Sequence, residues 1–317
     1  MKVLVTDADY PSLDIEAQVL TAAGHELVTA SCRTSEDVID AAAGADALLV
    51  QYAPITAEVL DALPQLQLVS RYGVGVDVVD TAAAAEHGVW VCNVPDYGTV
   101  EVALHAVAML LALIRNLAGH DRQVRAGCWD YQLGGPLRRP SSLTLGVVGL
   151  GRIGRMTAER AGPWFGAVAG HDPYLPDGAW PDDLERLDLP DLFSRSSAVT
   201  LHLPLTDPTR GLVGADLLER LPPGSYLVNT ARGGLVDLDA VLEALETGRL
   251  AGVALDVLPQ EPPPKDHPLL IHPRALITPH VAWYSTEAES ELRRKAAQNI
   301  VDWARTGRPA YAVVEGR

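Results

Sequence analysis

Short runs of β-branched and apolar residues recur along this chain, separated by stretches whose apolar positions fall three or four apart. Lys2 to Thr6, Ala47 to Gln51, Leu68 to Arg71 and Val89 to Cys92 read as strands, with helices over Leu13 to Ala23 and Glu36 to Ala43 between the earlier ones. Strand alternating with helix implies a parallel sheet, because each parallel connection must cross over a face and the helix covers it. From Val100 to Leu117 the positions Val100, Ala103, Leu104, Val107, Leu111 and Ile114 keep helical spacing, which predicts one long, largely buried helix. Asp96-Tyr97-Gly98-Thr99 before it supplies turn and cap chemistry.

A second series starts afresh at Leu145, with strands at Ala167 to Gly170, Ala198 to His202, Tyr226 to Asn229, Gly252 to Asp256 and Leu276 to Thr278. Two doubly wound α/β units therefore share the chain. Between them, Gly127 to Pro140 contains Gly134-Gly135-Pro136 and is expected to be a surface loop; Pro259 to Pro268 reads as a rigid one. Near the end, Leu292, Ala296, Ile300 and Trp303 mark a helix over Thr286 to Arg305. It is expected to pack back on the first unit and make that unit discontinuous.

Charge narrows the partners. With 41 acidic against 25 basic residues and a net charge of −16, the average field repels nucleic acid and anionic membranes, so neither is expected as a partner. The longest uncharged apolar stretch, Val102 to Ile114, has 13 residues and contains His105, short of the roughly 20 needed to cross a bilayer. Cys32, Cys92 and Cys128 are scattered, without the paired spacing of a metal site, and suit a reducing cytoplasm.

The most specific local signal is Leu145-Gly146-Val147-Val148-Gly149-Leu150-Gly151-Arg152-Ile153-Gly154, an apolar strand running into G-x-G-x-x-G, with Asp172 following 23 positions after Gly149 at the end of a second strand. Gly149 permits the tight turn, Gly151 lets backbone N–H groups approach a pyrophosphate, and Gly154 lets the following helix pack on the strand. Asp172 would take the adenosine ribose hydroxyls, which favours NAD over NADP because a 2′-phosphate would meet a carboxylate.

Three polar residues stand just past the carboxyl ends of strands, where open α/β sheets place chemistry: Arg232, Glu261 and His280. Singly, each has a plain alternative: a loop arginine, a solvated charge, a hydrogen-bonded strand-end histidine. Jointly they supply what reduction of a 2-keto acid needs. A guanidinium clamps the acid, an imidazole gives a proton to the carbonyl oxygen, and a carboxylate fixes the imidazole's tautomer.

On Arg71 to Asp77 (RYGVGVD), the fingerprint with Asp172-Pro173-Tyr174, His202 to Thr206 (HLPLT), Val228 to Asp237 (VNTARGGLVD), Ala254 to Val257 with Glu261-Pro262, and Thr278-Pro279-His280, the sequence resembles the D-isomer-specific 2-hydroxyacid dehydrogenase family over nearly its whole length. The resemblance implies a flavodoxin-like substrate domain from residues 1–98 plus 284–317 and a Rossmann NAD-binding domain from 99–283. It implies a catalytic Arg232, a general acid/base His280 tuned by Glu261, and no metal. Formate dehydrogenases of the same fold family carry glutamine where Glu261 stands, so the glutamate argues for hydroxyacid or ketoacid chemistry. It further implies an NAD cleft lined by Thr99, Gly149, Gly151, Arg152, Ile153, Gly154, Asp172, His202, Thr209, Thr230, Ala231 and Asp256. Substrate contacts are implied from Tyr72, from the backbone amides of Val74 and Gly75, and from Trp283.

After His280 the chain continues Val281-Ala282-Trp283-Tyr284-Ser285, whereas many members have small residues there. This segment resembles the C-terminal-binding-protein branch, corepressors that keep the dehydrogenase fold. An indole wall at Trp283 would favour a 2-keto acid with an apolar or thioether side chain; a core or dimer-contact tryptophan is the alternative. The leading expectation is a cytoplasmic, homodimeric, NAD-dependent D-2-hydroxyacid dehydrogenase. An NAD(H)-sensing corepressor-like binding protein, or phosphite-type oxidation on the same scaffold, stand beside it.

Overall fold

The computed structural model describes residues 1–317, and the chain divides into two compact units, residues 1–98 with 285–317 and residues 99–284. Tyr284 thus falls with the second unit. The first unit opens with β1 (Lys2–Val5), α1 (Asp14–Ala22), β2 (Glu26–Thr29), α2 (Ser35–Ala41), β3 (Ala47–Val50), α3 (Ala57–Ala62), β4 (Leu68–Arg71), α4 (Thr81–His87) and β5 (Trp90–Cys92). These strands are parallel in the order β2-β1-β3-β4-β5. That order reverses direction between β1 and β3, the flavodoxin-like arrangement. All four residues of β3 are buried, as helices on both faces of a central parallel strand require. Helix starts coincide with short polar side chains: Thr34, Thr56 and Asp80 accept backbone N–H groups of Asp37, Val59 and Ala83.

The second unit follows with α5 (Thr99–Ile114), α6 (Leu117–Arg125), β6 (Thr144–Val148), α7 (Arg152–Ala161), β7 (Ala167–His171), β8 (Glu185–Arg186), α8 (Leu189–Arg195), β9 (Ala198–Leu201), α9 (Ala215–Leu218), β10 (Ser225–Asn229), α10 (Leu238–Glu246), β11 (Leu250–Leu255) and β12 (Ala275–Ile277). Its seven strands are all parallel in the order β8-β7-β6-β9-β10-β11-β12. This is the Rossmann order carried one strand further, with its switch point between β6 and β9. One face of the sheet packs Leu192, Phe193, Val199, Leu227 and Val241; the other packs Ala106, Leu110, Leu145, Val147 and Val228.

The single long helix expected over Val100 to Leu117 is corrected. The helix stops at Ile114, Asn116 takes a left-handed φ of 46°, and α6 leaves at 59° to α5. Asparagine tolerates that conformation, and its side-chain amide donates to Gly134 C=O, pinning the corner to the following loop. Beyond the corner α6 has no buried residue, so no apolar stripe carries the first helix onward. The loop predicted over 127–140 holds one short helical turn, Tyr131–Gly134. No single helix is long and apolar enough to cross a membrane.

The chain then returns to the first unit with α11 (Thr286–Thr306) and β13 (Ala312–Val314), the latter antiparallel to β5. Leu292, Ala296 and Ile300 are buried, as their spacing predicts. Arg293 explains why α11 docks where it does. Its guanidinium pairs with the fully buried Glu16 of α1 at 2.8 Å, bonds Ser12 C=O and lies over the Tyr10 ring, while Ser70 Oγ of β4 donates to Ala296 C=O at 2.8 Å. The strands β2 and β13 escape a reading of hydrophobic runs because both lie at sheet edges and neither is fully buried.

Candidate active site

The neighbouring strands β10, β11 and β12 lie about 4.8 Å apart and end at one edge of the second unit's sheet, where Arg232, Glu261 and His280 follow them. Asn229 shapes the first turn. Its Oδ1 accepts Ala231 N–H at 3.0 Å and its Nδ2 donates to Arg232 C=O at 2.9 Å, bracketing the arginine. Gly233 brings this turn against the next: a Cβ there would lie 2.0 Å from the Leu258 carbonyl carbon, so only glycine permits the approach. Leu258 N–H in turn donates to Glu261 Oε1 at 2.8 Å, and His280 Nδ1 lies 2.7 Å from Glu261 Oε2.

A carboxylate only accepts, so His280 Nδ1 carries the proton and Nε2 is left to exchange one with a ligand. Burial alone would raise the Glu261 carboxyl. The hydrogen bonds from His280 and Leu258, with the charges of His280 and Arg232, outweigh it and hold the group below the usual glutamate range. The influence of Arg232 on this carboxyl places the three groups in one electrostatic neighbourhood. His280 and Glu261 are both partly exposed, at 43% and 36% of their side-chain surfaces, so the imidazole is open to a small solute.

At the switch point the glycines divide their work as the fingerprint requires. Gly149 has φ +89° and its Cβ would lie 2.4 Å from His202 C=O; a Cβ on Gly154 would lie 1.9 Å from Gly149 C=O. Both are excluded by backbone. Gly151, which caps α7, faces nothing within 4 Å, leaving open space above the helix N-terminus where an anion can approach the first-turn amides. Asp172, at the end of β7, accepts Leu150 N–H at 2.9 Å and Tyr174 N–H at 3.0 Å, which sets a carboxylate beside that turn. Thr230, past β10, is 7% exposed and its Oγ1 has no partner, an orphaned hydroxyl that a bound polar group would satisfy. These features fit a dinucleotide. Arg152 and Ile153 form the first turn of α7, Thr99 begins α5, and Ala231 precedes Arg232.

The other residues expected to contact cofactor or substrate have these partners. Thr209 donates its hydroxyl to Pro204 C=O and accepts Thr206 N–H, closing its own turn. His202 is held by Thr200 at 3.0 Å, and burial pushes its imidazole down to about 3, so the ring is neutral; its carbonyl is what confines Gly149. Asp256 is 2% exposed, and its carboxylate accepts Thr278 Oγ1, Val281 N–H and Ala282 N–H, which makes it first of all the anchor of the His280 loop. In the first unit, Tyr72 is buried with its hydroxyl bonded to Glu16, so its side chain serves the core rather than a ligand. Val74 is exposed in the turn after β4, where Gly73 has φ +136° and Asn93 Nδ2 donates to Val74 C=O; Gly75 follows it. Trp283 is half-buried, its ring edge-on to Tyr284 at 5.6 Å. The bracket made by Asn229 was not read from the sequence, although a short polar side chain closing a strand was the available signal, whereas loop capping by Asp256 is the plain alternative that a strand-end aspartate offers.

A parallel sheet in Rossmann order, a glycine cradle at its switch point and a glutamate-paired histidine at its carboxyl edge define a dinucleotide-dependent oxidoreductase. Comparison with known proteins refines this. Residues 107–282 match the family described as D-isomer specific 2-hydroxyacid dehydrogenase, NAD binding domain. The chain belongs to that family, and its cofactor is NAD. It is 35% identical to glycerate dehydrogenase of Methylorubrum extorquens over 88% of this chain and 89% of the relative. It is also 35% identical to D-3-phosphoglycerate dehydrogenase of Archaeoglobus fulgidus over 96% of this chain, but spans only 58% of that longer protein. The NAD complex of Staphylococcus aureus formate dehydrogenase superposes with a TM-score of 0.88 at 31% identity, covering 100% of both chains.

Proposed function

We propose that this protein interconverts a 2-keto acid and its D-2-hydroxy acid, with Arg232 holding the substrate's carboxylate and carbonyl oxygens and His280 exchanging the proton. NAD supplies or takes the hydride at the substrate's C2. Glu261 holds Nδ1–H, so His280 presents Nε2 to the substrate oxygen. The guanidinium of Arg232 gives planar, two-pronged recognition of the acid. The observation that carries the reading is the 2.7 Å bond between His280 and a carboxylate. An oxidation without proton exchange has no need of that partner.

Steady-state oxidation of NADH against a panel of 2-keto acids tests it. Turnover that disappears in both Arg232→Ala and His280→Ala is expected; tight NADH binding with no turnover on any acid would instead mean a sensor of the dinucleotide. Within the panel, the indole of Trp283 supports acids with an apolar or thioether side chain. The exposed Val100 and Leu104 of α5, with the exposed Trp129, Tyr131 and Leu133 beyond α6, support a twofold homodimer, in which a second copy would cover them. Light scattering on Trp129→Asp, expected to be monomeric, tests that assignment. The three cysteines are free, which accords with a reducing cytoplasm.

A further inference from the structure

His280 has a left-handed backbone, φ 53°, and is one of only two non-glycine residues with a positive φ. Such a conformation is strained for a non-glycine residue and persists only where surrounding bonds impose it. Here the bonds converge from Asp256. Its carbonyl accepts His280 N–H at 2.8 Å, Oδ1 accepts Val281 N–H at 2.9 Å, and Oδ2 accepts Ala282 N–H at 3.0 Å. Three successive amides of the loop that carries the imidazole thus bond one residue just past β11, the first of them shared with Thr278 C=O at 3.0 Å.

Asp256 is itself oriented. Thr278 Oγ1 lies 2.5 Å from Asp256 Oδ1, and on its other side His105 Nε2 of α5 lies 3.1 Å away. Since Asp256 Oδ1 already receives Val281 N–H, it is the acceptor, and the one hydroxyl proton of Thr278 points to it. The hydroxyl can then only accept from His105, so Nε2 of His105 carries a hydrogen. The same nitrogen lies 3.7 Å from Asp256 Oδ1. A directed chain runs from His105 to Thr278 to Asp256 and ends on the amides of residues 280–282.

We infer that His105 is a positioning residue for the reaction, donating through Thr278 to hold Asp256, and with it the backbone of His280, in the geometry the proton exchange uses. The inference rests on the 2-keto acid reading for its catalytic consequence, while the hydrogen-bonded chain itself is a property of the free protein. Glutamine can replace the Nε2 donor of histidine; leucine cannot.

The test compares His105→Leu, His105→Gln and Thr278→Val with the unmodified chain by two readouts. Hydrogen exchange at the amides of residues 280–282, read without substrate, is expected to quicken about tenfold or more in His105→Leu and Thr278→Val and to stay near the original rate in His105→Gln. With an accepted 2-keto acid, kcat is expected to fall about tenfold or more in the first two variants, with the Kd for NADH unchanged, and to recover in His105→Gln. Exchange at the original rate in His105→Leu and Thr278→Val overturns the inference. Equal damage in His105→Gln and His105→Leu does so too, by assigning the effect to packing. Absence of turnover by the unmodified chain on every acid sinks the functional reading instead, and leaves the exchange comparison to judge the hydrogen-bonded chain.

Discussion

Alanine at each fingerprint glycine should separate what the turn does for the fold from what it does for the dinucleotide. At Gly154 the new Cβ would lie 1.9 Å from Gly149 C=O, and the obstacle is backbone, so the turn or the helix must move by more than an ångström. Overpacking costs about 1–3 kcal/mol and a backbone obstacle belongs at the upper end; helix propensity returns about 0.8–1.0 kcal/mol. A net loss of about 2 kcal/mol corresponds to a fall in Tm of about 4–8 °C for a unit of this size. Gly149→Ala adds left-handed strain of about 1–2 kcal/mol to a 2.4 Å clash with His202 C=O and should be worse. Gly151→Ala meets nothing within 4 Å, so only the poorer helix start is felt, about 1 kcal/mol or less. Its methyl instead occupies the space through which a pyrophosphate reaches the α7 amides. NADH affinity should therefore fall at least tenfold, about 1.4 kcal/mol, in a well-folded protein. Thermal melts paired with NADH fluorescence titrations make the comparison. Wild-type NADH affinity in Gly151→Ala, or an unchanged Tm in Gly154→Ala, would falsify the division.

Asp172→Ala should weaken NAD binding and relax discrimination against NADP, read from the ratio of the two Kd values; an unchanged ratio means the ribose binds elsewhere. Glu261→Gln replaces a charge-assisted hydrogen bond worth about 1.5–3 kcal/mol and should lower kcat/KM about 10- to 100-fold. An effect under twofold across the pH range would refute the pairing with His280. Because the Glu261 carboxyl is depressed in the folded state, its stabilising contribution is complete above the usual glutamate pKa and is lost only as pH falls through the lower folded value. A carboxyl NMR titration should show that depression and its partial loss in His280→Ala. Arg293→Met strands the fully buried Glu16 without its partner and should cost about 3–5 kcal/mol in urea unfolding, whereas a loss under 1 kcal/mol would show that the pair is not needed.

The sequence by itself determined the features that depend on local order. Alternating apolar runs and helical stretches are enough for two parallel α/β units, because period and run length are set by neighbours a few residues away. The Gly149 to Gly154 turn and Asp172 are legible for the same reason: the cradle is built within one strand–turn–helix segment. Arg232, Glu261 and His280 could be singled out as strand-end residues, but only the adjacency of β10, β11 and β12, with Gly233 seated on Leu258, brings Glu261 within 2.7 Å of His280 and into the field of Arg232. Periodicity could not foresee the corner at Asn116, whose left-handed backbone and side-chain bond to Gly134 turn the chain after Ile114. Nor could it tell a ligand-binding hydroxyl from one closing its own turn, as Thr209 does, or a pocket tyrosine from one bonded to a buried glutamate, as Tyr72 is. Those bonds, local for Thr209 and spanning 56 residues for Tyr72, are visible only in the folded chain. The anchoring of His280 through Asp256, Thr278 and His105 joins residues up to 175 positions apart, and such a chain exists only once α5, β11 and β12 have packed.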